Sequence, residues 1–398
     1  MKPLKLITIF IVSQIQIINA QYNSNLQIDY FGQTPPGDKA VVFAPDFISR
    51  KDWYVQNACF SHDGKEFVFV KTDSAWTRYS LMYTHIDKNG KWTEPTELFP
   101  DENVPFFSYN DSILYFSHSE VDLHNKGNIY ISRKTVSGWA KPEKLSYPIN
   151  SDDGDEWEIS ESKNGTLYFS STRQGARGID LYTSKLENGK YINAENLGET
   201  INSNSTDECP YIAPDESFLI FNSWRYNPKF LGNNLYISYR NNDGTWSDIK
   251  DLGESINTDD LDIYPYITPD GKYFIFTRHS FLGKNTYSKI FWISTSFLDE
   301  VKKSKDSVFK SLTLSTEDLD QYPGSYSIPQ SPDKIEVLRD NSTLLVKFKN
   351  QPIILLDAIE KDVFIQGAYI FKFVPEKQEL IISIHGGKEI GRFTKEKQ

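Results

Sequence analysis

The chain has 398 residues, enough for two or three domains of ordinary size or for one large β domain with an appendage. Aromatic residues make up 14 %, Phe and Tyr far outnumber Met, and Gly and Pro are spread along the chain, a composition that favours strands and tight turns over long helices. The net charge of −11 excludes the broad basic surface of a nucleic-acid binder and electrostatic docking on anionic lipid, and it is compatible with solubility and cation binding.

Residues 1–20 read as a secretory signal. Lys2 and Lys5 precede an apolar run, Leu6 to Ile18, which Ser13, Gln14 and Gln16 interrupt, and Ala20 is a small residue at a cleavage point. The run is too short and too interrupted to span a bilayer. No Cys follows the cut, which argues against a lipid anchor, and the mature chain is expected to begin near Gln21. The expected localisation is periplasmic or extracellular, without membrane insertion.

From residue 50 onward a repeat dominates. The strands EFVFVK, ILYFSH, TLYFSS, FLIFNS and YFIFTR align Phe69, Phe116, Phe169, Phe221 and Phe276, at spacings of 47, 53, 52 and 55 residues. A second strand follows each one and aligns Tyr83, Tyr130, Tyr182, Tyr236 and Phe291. A turn such as SHDGK, SKNGT or TPDGK precedes the first marker, where Gly tolerates positive φ and Asp or Asn caps the turn. A strand leads into each turn, and a further one follows a polar turn after the second marker. The unit is thus four antiparallel strands in about 50 residues, the size of a propeller blade. The fifth unit lacks its own fourth strand. The segment 39–49 resembles the fourth strands, and Val41–Phe43 is expected to complete the last blade, closing the ring with no free sheet edge. The expected fold is all-β: a five-bladed propeller closed by an N-terminal strand over 21–305, with six blades the alternative count, and a small C-terminal β domain over 306–398. Cys59 and Cys209 lie in separate copies of the repeat and are expected to be buried and unpaired.

The turns Ala213-Pro214-Asp215 and Thr268-Pro269-Asp270-Gly271, each followed by a strand ending in Phe-x-Ser or Phe-x-Arg, resemble the repeats of TolB-like propellers, an exported bacterial family. The segment LYFSSTRQGARGIDLY and the closers NLGETIN and DLGESIN carry the same resemblance, over about 30–305. It implies a fold and no particular function. The phrase at Tyr322–Tyr326 is similar to the small β domain appended to penicillin-binding-protein-like serine hydrolases, a module to which the resemblance assigns no catalytic residue.

The sequence contains no nucleophile elbow, no Ser-x-x-Lys, no H-E-x-x-H and no phosphate-binding glycine loop. Its six His residues show no metal-ligand spacing. Carboxylates recur before each first strand. Counting back from the turns aligns Glu102, Asp155, Asp207 and Asp262, with Val55 in blade one. As residues of channel-lining strands they would ring one mouth and suit a hard cation such as Ca2+; otherwise they cap turns and face solvent. Arg173, Arg225 and Arg278 recur after the second strand, either pairing with those carboxylates or binding an anionic ligand. Trp92, Trp139 and Trp246 recur at the start of the fourth strand, as packing residues or as stacking surfaces for sugar rings. The function expected is non-catalytic binding of a protein, peptide or glycan partner. The alternatives are a glycoside hydrolase working through two carboxylates and a structural part of an envelope assembly.

Overall fold

A computed structural model of the chain describes residues 22–119, 127–225, 227, 233–280, 286–304, 312–328, 334–349, 353–367, 369–384 and 388–396. The signal pattern and residues His124 and His385 lie outside them. The described residues form five four-stranded antiparallel blades and a closed eight-stranded barrel. Blade one is Tyr54–Phe60, Glu66–Thr72, Tyr79–His85 and Thr96–Pro100. Blade two is Glu102–Phe107, Ile113–Ser119, Gly127–Thr135 and Glu143–Lys144, with Gly138–Trp139 pairing back onto its third strand. Blade three is Glu156–Glu161, Leu167–Ser171, Asp180–Glu187 and Lys190–Asn196, and blade four is Asp207–Ile212, Phe218–Ser223, Asn234–Tyr239 and Lys250–Asp251. In blade five, Leu261–Ile267, Tyr273–Ser280 and Tyr287–Ser294 come from one end of the repeat array and Val41–Val42 from the other.

That last strand is the expected clasp. Val41 and Val42 pair with Trp292 and Phe291, and the Phe43 amide donates to Ile290 O at 2.8 Å. Phe43 is fully buried, with its ring edge-on to Trp292 at 5.0 Å and beside Phe60 and Phe67 of blade one. The clasp therefore adds a core contact between the last blade and the first as well as a strand. A second seal precedes it. Tyr30 donates to Asp270 Oδ1 at 2.9 Å and packs against Phe60, Tyr273 and Trp292, again bridging blades five and one.

Between blades, the closers do a specific job. Ile149-Asn150-Ser151, Ile201-Asn202-Ser203 and Ile256-Asn257-Thr258 stand at the ends of blades two, three and four. Each Ile is buried. Each Asn accepts the amide of Ile129, Leu181 or Leu235 at 2.8 Å and donates to the carbonyl of the same residue, so its side chain stands in for a paired strand where the fourth strand has ended.

The barrel runs in chain order from Gly324–Ser327 through Glu389–Lys395, and its first and last strands pair to close it. Alternate residues such as Ile335, Val337, Leu344, Val346, Phe371, Phe373, Leu380 and Ile382 fill its interior, as an eight-stranded barrel of this width requires. The Tyr322–Tyr326 phrase belongs to this core: Tyr326 donates to Tyr322 O at 2.8 Å, and Tyr322 donates to Asp362 Oδ1 at 2.6 Å. The helix Phe297–Lys303 lies between the propeller and the barrel, with its C-terminal carbonyls Val301 O and Lys302 O capped by Lys250 Nζ. No helix among the described residues is long and apolar enough to cross a membrane.

Candidate functional site at the loop-side mouth of the channel

The first strands of the five blades converge on a throat. It is lined by Asn57–Cys59, Val104–Phe106, Glu158–Ile159, Cys209–Pro210 and Tyr264–Tyr266, two or three consecutive residues from every blade. Each first strand bulges at the same place, two residues after its first ladder carboxylate or, in blade one, after Val55. There Asn57, Val104, Glu158, Cys209 and Tyr264 all take left-handed φ angles, from 21° at Glu158 to 57° at Tyr264, and the register shifts across each of them. A non-glycine residue held this way costs about 1–3 kcal/mol, so the surroundings must enforce it. The neighbouring blade supplies part of that enforcement. Thr277 Oγ1 accepts the Asn57 amide at 3.0 Å, and Ser170 Oγ accepts the Cys209 amide at 3.2 Å.

The recurrent carboxylates do not share one site. Asp207 is paired with Arg225 and accepts the Ser203 amide and hydroxyl at 2.6 and 2.7 Å. Asp262 pairs with Arg278 at 2.6 Å and accepts from Thr258 in the same way. Glu102 lies 3.2 Å from His118 Nδ1. In blade three this position belongs to Glu156, not Asp155. Six residues separate Glu102, Glu156, Asp207 and Asp262 from the first residue of their turns, and it is Glu156 that sits opposite Ser171 on the ladder, 3.0 Å from Arg173. Asp155 instead accepts the Gly127 amide of blade two at 3.1 Å. Burial pushes Asp262 up to about 6 against the pull of Arg278, and Glu102 up to about 7 against that of His118. Among the described residues no three His, Cys, Asp or Glu side chains are gathered as metal ligands.

Arg173, Arg225 and Arg278 are turned into the protein. Besides the carboxylate, each donates to the carbonyl of a closer isoleucine, Ile149, Ile201 or Ile256, at 2.6 Å. Each also lies against the two marker rings of its own blade, within 5.4 Å of their centroids. The geometry joins marker aromatics, Arg, carboxylate and closer into one weld, repeated in three blades. The fourth-strand Trp residues pack as well: Trp92 on Phe31, Trp139 near Phe107, and Trp246 against Tyr168 and Arg240. Cys59 and Cys209 are free and buried at the throat, where burial raises both thiols.

One place open to a ligand lies on the loop side of the throat, around Glu158 and Glu208, which the repeat pattern did not single out. Glu208 Oε1 accepts Asn222 Nδ2 at 3.0 Å and Asn233 Nδ2 at 2.9 Å. Burial first, and the neighbouring Glu208 second, push Glu158 up to about 8. Three buried acceptors here have no hydrogen-bond partner: Glu158 Oε2, Asn222 Oδ1 and Asn233 Oδ1. The rim is aromatic. Trp76 stands edge-on to His279 at 4.5 Å and to Tyr54 at 6.3 Å, and the Trp224 side chain reaches Glu208. The barrel stands at the same rim, with Asp357 Oδ1 accepting Asn204 Nδ2 at 2.7 Å and Gly367 against Trp224 O. The N-terminal segment covers part of the opposite mouth, where Tyr22 is buried with its hydroxyl 3.0 Å from that of Tyr211 and the Asn23 amide donates to Pro269 O, and a cavity of about 160 Å3 remains there beside His62, Tyr109 and Glu161.

No protein-family model matches the sequence, and no curated protein matches it. Solved structures that resemble it include TolB from Acinetobacter baumannii, at 15 % identity and a TM-score of 0.38, over 61 % of this chain and 54 % of that one. The catalytic domain of the GH62 α-L-arabinofuranosidase of Coprinopsis cinerea is similar at 12 % identity and a TM-score of 0.43, over 66 % of this chain and 98 % of that one. A prolyl endopeptidase is similar at 11 % identity and a TM-score of 0.35, over 89 % of this chain and 49 % of that one. The chain thus spans about half the length of the TolB and endopeptidase structures. The likeness is one of propeller fold and carries no argument about ligand or chemistry.

Proposed function

We propose that the chain is an exported, non-catalytic binding propeller that receives a glycan at the loop-side mouth of its channel. One observation carries the reading: the buried, unmet acceptors Glu158 Oε2, Asn222 Oδ1 and Asn233 Oδ1 are clustered inside an aromatic rim. A buried acceptor without a partner costs about 1–3 kcal/mol, and a donor-rich ligand removes that cost. Sugars bring many hydroxyl donors and flat apolar ring faces that stack on Trp and Tyr. Export rests on the signal pattern of residues 1–20.

The test is a glycan-array screen of the mature chain beside a Trp76→Ala variant, followed by titration of the hits. Binding by the wild type that falls at least about ten-fold in the variant supports the reading. A blank array, or hits that both proteins bind equally, overturns it. A second reading, glycoside hydrolysis, draws on Glu158 and Glu208, two neighbouring carboxyls that burial raises together, since a pair of carboxyls sharing a proton at neutral pH is what such chemistry needs. Release of reducing ends from the array hits would favour hydrolysis over binding alone.

A further inference from the structure

We infer that the cavity at the turn-side mouth of the channel is a second ligand site and takes a single phenolic ring, its hydroxyl against Glu161 and His62 and its carbon edge against the prolines of blades four and five. It is separate from the loop-side mouth and does not rest on the glycan reading.

The repeat breaks twice at this mouth. Each first strand ends on the residue before its turn, and in four blades that residue is apolar: Phe60, Phe107, Ile212 and Ile267. Blade three ends on Glu161 instead. The second residue of the turn departs in the same part of the ring. Blades four and five carry Pro214 and Pro269 there, whereas blades one, two and three carry His62, Tyr109 and Lys163. Both departures meet at the cavity of about 160 Å3, to which every blade contributes. Its wall is polar towards blades one to three, with His62, Tyr109 and Glu161. It is apolar towards blades four and five, with Ile212, Pro214, Ile267 and Pro269. Phe106 and Tyr266 line both this cavity and the throat and so form its floor.

The polar side has capacity to spare. Glu161 accepts the Tyr109 amide at 2.7 Å and, from farther off, the Tyr115 hydroxyl at 3.3 Å. A carboxyl group offers about four lone-pair sites, so room is left for a further partner. Burial raises the Glu161 pKa against the hydrogen bonds of Tyr109 and Tyr115 and the pull of His62. A hydroxyl meets the carboxyl in either protonation state, because it both donates and accepts. His62 Nδ1 is closed off from solvent, 3.4 Å from Asp111 Oδ1, which leaves Nε2 as the nitrogen that a ligand meets. On the apolar side the carbonyls of Pro214, Ile267 and Pro269 already hold the Lys163 amide, the Tyr211 hydroxyl and the Asn23 amide.

Size and polarity together name the ligand. A cavity of about 150 Å3 accepts one benzene ring, so this one takes a single six-membered ring. A sugar ring carries hydroxyls around its whole edge and would leave several unmet against the prolines. A plain hydrocarbon ring would shut Glu161 and His62 away from water with nothing in return. A phenol has one hydroxyl at one end and an apolar body, which is the division of the wall. Its flat face also suits a floor of rings, where Tyr211 and Tyr266 already stand edge-on at 5.7 Å and Phe106 and Tyr266 at 6.3 Å.

Isothermal titration of the mature chain with p-cresol, toluene and cyclohexanol tests this. Toluene lacks the hydroxyl and cyclohexanol lacks the flat ring, and p-cresol is expected to bind about ten-fold more tightly than either. Glu161→Ile gives blade three the residue that blades four and five carry, and it should remove the preference for p-cresol over toluene. Phe106→Trp narrows the cavity from its floor and should weaken all three probes. Thermal unfolding shows which variants are folded. If Glu161→Ile is not, His62→Phe at the turn replaces it and should lower the affinity for p-cresol about three-fold or more while sparing toluene. Failure of p-cresol to bind, equal binding of p-cresol and toluene, or p-cresol binding that the folded variants leave unchanged would each overturn the inference.

Discussion

At the scale of single residues, the propeller uses its polar side chains in two ways. Most are welds. Arg225, Asp207, Ser203 and Ile201 O form a closed set of buried partners, and so do the corresponding groups in blades three and five. Breaking one such pair leaves a buried charge without its counterpart, which costs about 3–5 kcal/mol, so these residues are poor candidates for a ligand to recruit. Glu158 differs, because its surroundings raise its pKa and leave one oxygen unmet. That has a consequence for stability. A carboxyl whose folded pKa lies above its ordinary value near 4.5 contributes stability that is fully present below that value and is lost as pH rises through the folded pKa. For Glu158 the loss runs from about 4.5 to about 8, and Glu102, at about 7, and Asp262, at about 6, act in the same direction. His279 opposes them in acid. Burial holds it down to about 3, so its contribution is lost as pH falls below 6.5. The melting temperature is accordingly expected to peak in mildly acidic solution and to fall towards pH 9. Glu158→Gln should flatten the alkaline fall, by differential scanning calorimetry from pH 4 to 9. An equal fall in both proteins would show that Glu158 is not held protonated.

At the scale of elements, the ring depends on its clasp. The strand Val41–Val42 is short, and its two ladder pairs alone would hold little. Phe43 supplies the rest, being fully buried between Trp292 of blade five and Phe60 and Phe67 of blade one. Phe43→Ala is expected to cost about 3–5 kcal/mol and to lower the unfolding midpoint of the whole propeller in a single transition, read by chemical denaturation. A change under about 1 kcal/mol, or loss of blade five alone while the others unfold as before, would count against closure through this contact. This level was the most legible in the sequence. Strand markers, turn chemistry and the clasp segment each repeat with the blade, and repetition is what a single sequence displays. The same reliance on repetition misplaced one residue. Blade three enters through Asp152-Asp153-Gly154-Asp155-Glu156, where two acids stand side by side, and both the six-residue offset from the turn and the ladder partner Ser171 identify Glu156.

At the scale of the whole molecule, the candidate site is what the repeat does not predict. The five left-handed bulge positions are equivalent in backbone, yet they carry Asn57, Val104, Glu158, Cys209 and Tyr264. Glu208 occupies a position that holds Gln56, Asn103, Trp157 and Ile263 in the other blades. A search for periodic residues passes over such places, and the signal that marks them is departure from the repeat: a carboxylate where the other copies are neutral. The remaining asymmetry comes from the additions. The N-terminal segment lines one mouth with Tyr22, beside a cavity of about 160 Å3, and the barrel stands beside the other, meeting blades three and four through Asn204–Asp357 and Gly367–Trp224. The proposed function places the ligand on the loop side. Hydrogen–deuterium exchange with and without a bound oligosaccharide tests this most directly. Protection is expected in the loop-side segments 73–78, 152–156, 173–179, 203–206 and 258–262, with 61–65, 108–112, 162–166, 213–217 and 268–272 on the turn side unchanged. Protection of the turn-side set, with the loop side unaffected, would contradict the account.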